Sequence, residues 1–276
     1  MSNKNSILLM DPEFDPGTAA DCTLLLKITP DSFSYAIVNN TTKQLQAVYD
    51  HQECLDAGQV LATSVKTDAN LSLPFAEIKA SVYTLNSIAL PDDLFDTAAI
   101  QTYTKFFSTV QSAQLYIQPS SAFSFKSVFN LPEAIEVTLN DYLAGCKRYD
   151  HTASVMNMAE NTSSNTLIID FTVGSLNAVL IKDQKFHFQH CFEFENKEEF
   201  NYYLLLMIEQ LTIDKSSTQV VLSGIIHEDD ANYHILNKYF SSLSFSNAVS
   251  DLTDYSLLED MPAHYYTSLL ALDLCE

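Results

Sequence analysis

The stretch "TLIIDFTVGSLNAVLI", residues 166–181, contains two runs of β-branched and other apolar residues on either side of a short turn. The first run ends on an acid, Asp170, and the turn carries Gly174, one of only five glycines in the chain. Such runs around a glycine-containing turn are typical of a β-hairpin. An acid and a glycine between two strands are also residue types with which a turn can hold a phosphate. The stretch therefore predicts a hairpin and raises the question of a phosphate site.

The same pattern occurs a second time, 143 residues earlier in the chain. The stretch "TLLLKITPDSFSYAIVNN", residues 23–40, aligns with residues 166–183, and most positions pair apolar with apolar residues. Identical residues coincide in four pairs: Thr23 with Thr166, Leu24 with Leu167, Thr29 with Thr172, and Ser32 with Ser175. Self-similarity at a fixed distance indicates a repeated structural unit. We therefore predict that the two hairpins are equivalent elements of two similar domains.

Both halves continue beyond the hairpin with the same order of elements. A third strand follows in each half, as "QLQAVYDHQ" in the first and "KFHFQHCFEF" in the second, where alternate residues are phenylalanine or histidine. Segments with apolar residues at helical spacing then alternate with short apolar runs that are typical of buried strands. Each half is therefore predicted as β-β-β-α-β-α-β-α. This order predicts an α/β fold with a mixed sheet in each domain and helices on both faces.

Two tandem units of this kind resemble the superfamily of actin, sugar kinases and heat-shock ATPases, whose domains are ribonuclease H-like. The segments "YYLLLMIEQL" and "VVLSGII" and the "LCE" end are similar to an uncharacterised bacterial family with a degenerate actin-like ATPase fold. The resemblance covers about residues 22–273. It implies two tandem actin-like ATPase domains, and it brings no known activity with it.

The alignment of the two halves predicts the domain boundaries. We expect an N-terminal tail at residues 1–21, a first domain at 22–160 and a second domain at 165–276. The polar stretch "NTSSN", residues 161–165, is expected at the junction because such clusters interrupt regular structure.

The first half contains an additional segment at about residues 55–95, with a strand pattern at "EIKASVYT" and a helix start near "LPDDLF". Because the second half has no evident counterpart, we predict an insertion in the first domain. The resemblance implies that an insertion at this point carries specific contacts. Between residues 95 and 145 the patterns then predict a helix, a strand and a second helix.

The resemblance also implies where a nucleotide would bind. In nucleotide-binding members of the superfamily, each first hairpin presents an acid and glycines to the phosphates, and a glycine pair adjoins the adenosine. The turn at 170–175 keeps the acid but has one glycine between bulky residues, and the matching turn at 27–32 has a lysine, a proline and no glycine. Gly224 stands alone after its strand. Backbone N–H groups approach a phosphate only where no Cβ intervenes. The turns at 170–175 and 27–32 are therefore better interpreted as ordinary hairpin turns.

We therefore interpret the chain as a non-catalytic binding or scaffold protein with an unidentified protein partner, no catalytic residues, no metal ligands and no cofactor. The alternative is a weak ATP- or nucleotide-binding protein or ATPase that uses the interdomain cleft. In that alternative Asp170, Gly174, Ser175 and Gly224 contact the nucleotide. In the first interpretation Asp170 accepts a hydrogen bond within its own turn, and Gly174 provides a positive φ.

The composition restricts the partners and the compartment. Thirty-five acidic residues against 14 basic residues give a formal net charge of −21, which repels nucleic acids and anionic membrane surfaces. No apolar run approaches the length of a membrane span, and the N-terminal residues lack the pattern of a signal peptide. The five cysteines are scattered, which favours reduced thiols. We expect an acidic cytoplasmic protein that binds no nucleic acid and is not inserted in a membrane.

Overall fold

The computed structural model describes residues 5–108, 112–159, 165–247 and 254–275 of the chain. The strands, in chain order, are β1 (Ser6–Met10), β2 (Cys22–Ile28), β3 (Phe33–Asn39), β4 (Leu45–His51), β5 (Glu77–Val82), β6 (Ser87–Pro91), β7 (Tyr116–Ser120), β8 (Phe125–Phe129), β9 (Lys147–Asp150), β10 (Thr166–Phe171), β11 (Ser175–Lys182), β12 (Lys185–Glu193), β13 (Gln219–Gly224) and β14 (Ser242–Phe245). The α-helices are α1 (Ala57–Thr67), α2 (Ile100–Tyr103), α3 (Glu133–Tyr142), α4 (Ala153–Ala159), α5 (Lys197–Gln210), α6 (Ala231–Tyr239) and α7 (Thr267–Leu270).

The strands form two large mixed sheets and one small sheet. The first sheet has the order β1-β4-β3-β2-β5-β9, the second has the order β12-β11-β10-β13-β14, and the small antiparallel sheet has the order β6-β8-β7. Without β1, the two large sheets have the same strand order and the same strand directions. In each sheet, three antiparallel strands are followed by two strands that pair in parallel. The predicted equivalence of the hairpins β2–β3 and β10–β11 is confirmed.

Helices cover both faces of each large sheet. On one face, α1 and α3 pack against the first sheet and α5 and α6 against the second. On the opposite faces, α7 packs against β2 and β3 while α4 packs against β10 and β11. The last helix of the first half therefore lies on the sheet of the second half, whereas α7 contacts both sheets, since it also packs against β13. Burial on both faces explains why the central hairpins are nearly continuous apolar runs.

The predicted order of elements is present in the second half, and in the first half once β6, α2, β7 and β8 are left out. The helix and strand predicted in the first half after residue 95 belong to this additional region, and β8 occupies part of the second predicted helix. The first half reads β2-β3-β4-α1-β5-α3-β9-α4, and the second half reads β10-β11-β12-α5-β13-α6-β14-α7. The predicted α/β class, with helices on both faces of mixed sheets, is confirmed. The helix α5 begins after a capping residue, since the Asn196 side chain accepts a hydrogen bond from the Glu199 N–H.

The insertion lies later in the chain than predicted, so the bounds 55–95 were wrong. Helix α1 and strand β5, which lie within those bounds, are the counterparts of α5 and β13, and β5 pairs in parallel with the central strand β2. The additional material is the small sheet with α2, between β5 and α3, where the second half has only residues 225–230. β5 was predicted as a strand but not as the counterpart of β13, because Lys79 interrupts its apolar run. That side chain is buried and donates to the carbonyls of Asp273 and Cys275 at 2.7 Å.

The predicted N-terminal tail was also wrong for its described part. β1 pairs antiparallel with β4 and covers what would otherwise be an edge of the first sheet. A 3₁₀ helix at Pro16–Asp21 follows, and the Asp15 side chain caps it by accepting the Gly17 N–H at 2.8 Å. The junction expected at residues 161–165 lies, apart from Asn165, outside the described residues, so the domain boundary there stays a prediction.

Candidate functional site

The turns of the two equivalent hairpins have the same internal hydrogen bonds. The Thr29 N–H donates to the Ser32 carbonyl at 3.0 Å, and the Thr172 N–H donates to the Ser175 carbonyl at 2.9 Å. In each turn the threonine hydroxyl accepts the serine N–H at 2.9 Å. The repeat therefore extends from the order of the elements to the atoms of these turns, and the two turns meet between the large sheets.

An ion pair joins the two turns. Lys27 Nζ lies 2.5 Å from Asp170 Oδ2, and the side chains are only 14% and 3% exposed. These residues are 143 positions apart, which is the offset of the repeat. Residues at equivalent positions of the two halves can contact each other only near the axis that relates the halves. Lys27 also donates to the Ser268 hydroxyl at 2.6 Å, and the Ser223 hydroxyl donates to Asp170 Oδ1 at 2.7 Å.

A second link runs from the first turn into the second. The carboxylate of Asp31 accepts the Gly174 N–H at 2.8 Å and the Ser175 hydroxyl at 2.9 Å. The Thr172 hydroxyl lies 2.7 Å and 2.9 Å from its two oxygens, and the Thr29 hydroxyl lies at 3.1 Å. Asp31 and Gly174 are again 143 positions apart. Both links therefore connect equivalent positions of the repeat.

Little space remains around these links. One cavity of about 20 Å³ lies on the side of Tyr266 and Ser268, and another of about 20 Å³ lies on the side of His151 and Cys191. Such a volume holds roughly one water molecule. The side chains that join the turns thus occupy the centre of the cleft.

Burial shifts the pKa values of the titratable groups around the ion pair. Burial of the Asp50 carboxyl raises its pKa, although the hydrogen bond from Gln52 and the charge of Lys27 oppose this rise. Burial also raises the pKa of the Cys191 thiol to about 12 and lowers the pKa of the His151 imidazole. The thiol and the imidazole are consequently uncharged near neutral pH.

The family model described as "Protein of unknown function (DUF3822)" matches residues 11–243 of this sequence. The chain belongs to the DUF3822 family. No curated protein sequence matches it.

Solved structures show the fold of this DUF3822 protein. A protein of unknown function with an actin-like ATPase fold from Bacteroides thetaiotaomicron has a TM-score of 0.75 and 15% identity, over 95% of this chain and 99% of that chain. The PilM–PilN type IV pilus biogenesis complex gives a TM-score of 0.64 at 14% identity, over 91% and 97%. The ethanolamine utilization protein EutJ from Carboxydothermus hydrogenoformans gives 0.53 at 7% identity, over 97% and 93%. The predicted actin-like ATPase fold is confirmed, and at such identities the similarity establishes the fold alone.

The structure corrects the roles expected for two turn residues of the DUF3822 protein. Asp170 accepts its hydrogen bonds from Lys27 and Ser223, in place of the local bond predicted within its own turn. Gly174 does not have the expected positive φ, which the described glycines show only at Gly145 and Gly224. A Cβ at position 174 would lie 3.2 Å from Asp31 Oδ2, so this glycine permits close approach of a carboxylate.

Gly224 lies beside the turn, where β13 pairs with the end of β10. It has a φ of +77°, and a Cβ there would lie 2.0 Å from the Phe171 carbonyl oxygen. Its N–H donates to the His264 carbonyl at 2.9 Å, and His264 Nε2 lies 2.7 Å from the Ile226 carbonyl oxygen. The structure therefore brings Asp170, Gly174 and Ser175 together at the cleft and gives Gly224 a packing role next to them.

Sequence reasoning missed that Lys27 and Asp31 are the partners of the second turn. The comparison with a phosphate-binding pattern treats Lys27 only as a departure from that pattern and does not use Asp31. The alignment contained the signal, because a base faces an acid at one position of the repeat and an acid faces a glycine four positions later. Complementary residues at equivalent positions indicate a contact across the axis of the repeat.

Two larger cavities adjoin the small sheet. One of about 360 Å³ lies between β7, β8, α4 and the C-terminal residues, and one of about 330 Å³ lies between β6, β8 and β12. Both are lined by Phe125, Ser127, Asp150 and Thr152. The Asp150 carboxylate accepts hydrogen bonds from the Ser87 and Ser127 hydroxyls and from the Thr152 N–H. The sequence could not indicate these cavities, because their walls come from elements that are distant along the chain.

Within the described parts of the chain, no helix is long and apolar enough to cross a membrane. In the same residues, no three or more histidine, cysteine, aspartate or glutamate side chains are grouped in a way that could hold a metal ion.

Proposed function

We propose that this DUF3822 protein is a non-catalytic binding or scaffold protein of the bacterial cytoplasm, in which side chains of the chain itself close the interdomain cleft. The observation that carries this proposal is the pair of links between the turns, Lys27 with Asp170 and Asp31 with the turn at 172–175. In this proposal the fold serves as a rigid support, and no nucleotide or other cofactor is required.

Charge and space both support this function over nucleotide hydrolysis. The Asp170 carboxylate neutralises Lys27 at 2.5 Å, so that this lysine is not free to bind a phosphate. The Asp31 carboxylate lies where an incoming anion would have to approach the second turn, and like charges repel in a poorly solvated site. Cavities of about 20 Å³ on either side leave no room for a nucleotide between the turns.

We expect ATP with magnesium, at millimolar concentration, to leave the melting temperature of the wild type unchanged. A ligand at about 100 times its dissociation constant would stabilise the folded state by about 2.7 kcal/mol, which a thermal melt detects readily. The measurement is a melting curve with and without Mg-ATP at equal ionic strength. A clear rise that Asp170→Asn abolishes would refute the proposal and support the nucleotide-binding alternative.

A protein partner is supported by the exposed apolar side chains of the inserted region. Phe106 is 84% exposed and Leu94 is 65% exposed, and both lie between β6 and β7. Exposed apolar side chains mark interaction surfaces where they form a patch, and these two side chains belong to the same inserted region. The two larger cavities border the same sheet. The structurally similar PilM was solved in a complex with PilN, which is consistent with a binding role for this fold.

We expect Phe106→Ser and Leu94→Ser to abolish partner binding without lowering the melting temperature, because neither side chain is buried. Binding is measured by affinity capture from bacterial cytosol with quantitative mass spectrometry. Tyr202→Ser is the matched control, since Tyr202 is 62% exposed on α5, away from the inserted region. A protein captured by the wild type and by Tyr202→Ser, but lost with both other variants, is the expected result. Retention of every captured protein by Phe106→Ser and Leu94→Ser would contradict the assignment of this surface.

A further inference from the structure

We propose that the cavity between β7, β8, α4 and the C-terminal residues binds a primary ammonium group carried on an unbranched aliphatic chain. The Asp150 carboxylate is inferred to accept the ammonium group, and the apolar wall of the cavity to receive the chain. Free alkylamines and lysine side chains both carry such a group. The inference goes beyond the proposed function, because it assigns a ligand to a part of the molecule outside the space between the two turns.

The cavity has the size and the lining of a small-molecule site. Its volume of about 360 Å³ falls within the range of about 300–1,000 Å³ that is typical of ligand pockets. Ala153 and Met156 of α4 and Leu274 supply apolar surface. Such sites combine an apolar lining with a few polar groups that orient the ligand. Here the aliphatic chain has a wall to lie against, and Asp150 is the charged group.

The charge of the lining favours a cation. Asp150 is only 2% exposed, and it is the only aspartate, glutamate, lysine or arginine among the described residues that line the cavity. Within the described chain, no basic nitrogen lies within 4.0 Å of its carboxylate. The adjacent His151 does not supply the missing charge, because burial lowers the pKa of its imidazole. A buried carboxylate is costly without a cation, so a positively charged ligand is favoured over a neutral or an anionic one.

The hydrogen bonds of Asp150 leave room for one more donor. The Ser87 and Ser127 hydroxyls donate to Oδ2, and the Thr152 N–H donates to Oδ1 at 3.0 Å. A carboxylate has about four acceptor positions, so one position, on Oδ1, remains beyond these contacts. One position suits a single N–H of an ammonium group, whereas a guanidinium group favours two parallel bonds to both oxygens. The site therefore favours a primary amine over an arginine-like ligand.

An aromatic ring strengthens the preference for a cation. Phe125 lines the cavity, and its ring stacks on that of Phe186 with the centroids 4.7 Å apart. Aromatic rings attract ammonium groups through their quadrupole. The formal net charge of −21 acts in the same direction at longer range. Local and global electrostatics thus select the same class of ligand.

The first test compares the melting temperature of the protein in n-hexylamine hydrochloride and in 1-hexanol, at neutral pH and equal ionic strength. We expect a saturable rise with hexylamine and none with hexanol, which has the same chain without the charge. Asp150→Asn keeps the shape of the side chain, and it should bind hexylamine at least about tenfold more weakly, as loss of a charged hydrogen bond predicts. No response of wild type, equal responses to both compounds, or equal responses of wild type and Asp150→Asn would overturn the inference.

A second pair of variants leaves Asp150 intact, and it decides the matter if Asp150→Asn does not fold. Ala122 is exposed and lines only this cavity, so the ring of Ala122→Trp should narrow it and abolish the response to hexylamine. His187→Trp is the matched control, because His187 is exposed and lines only the neighbouring cavity of about 330 Å³. A response that survives in Ala122→Trp, or that is lost equally in both variants, would overturn the assignment.

Comparison with Nα-acetyl-lysine N-methylamide identifies the source of the ammonium group. Tighter binding of hexylamine assigns the site to a free alkylamine, and tighter binding of the lysine derivative assigns it to a lysine side chain of a protein partner. In either case binding should weaken in Asp150→Asn. A rise in the melting temperature with Mg-ATP would refute the proposed function and leave this site standing, so the two can fail separately.

Discussion

Substitution of Gly224 by alanine is expected to destabilise the protein by about 4 kcal/mol or more, a loss that marks a severe backbone conflict. The added Cβ would lie 2.0 Å from the Phe171 carbonyl oxygen and 2.8 Å from the Phe171 nitrogen. Phe171 cannot move away easily, because it is paired with β11 and its carbonyl also accepts the Ile225 N–H at 2.9 Å. The free energy of unfolding, measured in urea, should fall accordingly, or folded protein should not accumulate.

Gly145→Ala is the control for this variant. Gly145 has almost the same φ, +78°, but a Cβ there would meet nothing within 4 Å. Only the backbone strain remains, about 1–3 kcal/mol. Equal losses for the two variants would show that strain alone matters at position 224, and would contradict the tight contact between β10 and β13.

The role of Gly224 shows how a residue can be located correctly and interpreted wrongly. Its place after a buried strand was evident from "TQVVLSG", and the strand is present as β13. Comparison with a nucleotide-binding pattern suggested an adenosine contact. The packing role depends on the distance to Phe171, a residue 53 positions earlier, and no local pattern contains that distance.

The order of elements could be predicted because burial on two faces leaves continuous apolar runs, which repeat at a fixed offset. The insertion was misplaced because its boundary depends on recognising β5 as a strand of the large sheet, and the buried Lys79 makes its pattern unlike the apolar run of β13. The lysine is tolerated there because its ammonium group donates to the carbonyls of Asp273 and Cys275 at 2.7 Å and lies 3.5 Å from the Glu77 carboxylate. Such a tertiary partner, nearly 200 positions away, overrides local propensity.

The contacts of the candidate site can be predicted only when the two turns are compared with each other, and not from the sequence pattern of either turn alone. Each turn, taken alone, lacks residues of the nucleotide-binding pattern. Compared with each other, the deficiencies are complementary: Lys27 matches Asp170, and Asp31 matches Gly174. A repeat whose equivalent positions have become complementary favours a contact between its copies, in place of a ligand shared by both.

Substitution of Lys27 by methionine is expected to destabilise the protein by about 3–5 kcal/mol, the usual cost of leaving a buried charge unpaired. Asp170 is only 3% exposed, and without Lys27 it keeps one hydrogen bond among those described, from the Ser223 hydroxyl. This expectation replaces the small effect that a purely local role of Asp170 would give. Urea unfolding measures the loss. Lys126→Met is the control, because the Lys126–Asp92 pair is 30% and 45% exposed and exposed pairs contribute less than about 1 kcal/mol.

The double variant Lys27→Met with Asp170→Leu decides whether the loss comes from the unpaired charge or from the lost connection between the turns. If the unpaired charge is responsible, removing both charges should recover much of the stability, since apolar replacement of a buried ion pair is often neutral. If the connection itself stabilises the closed cleft, the double variant should stay as unstable as Lys27→Met. A loss for Lys27→Met no larger than that for Lys126→Met would contradict both explanations. The ion pair would then be incidental to the closed cleft, and the Asp31 carboxylate would be left as the link between the two halves.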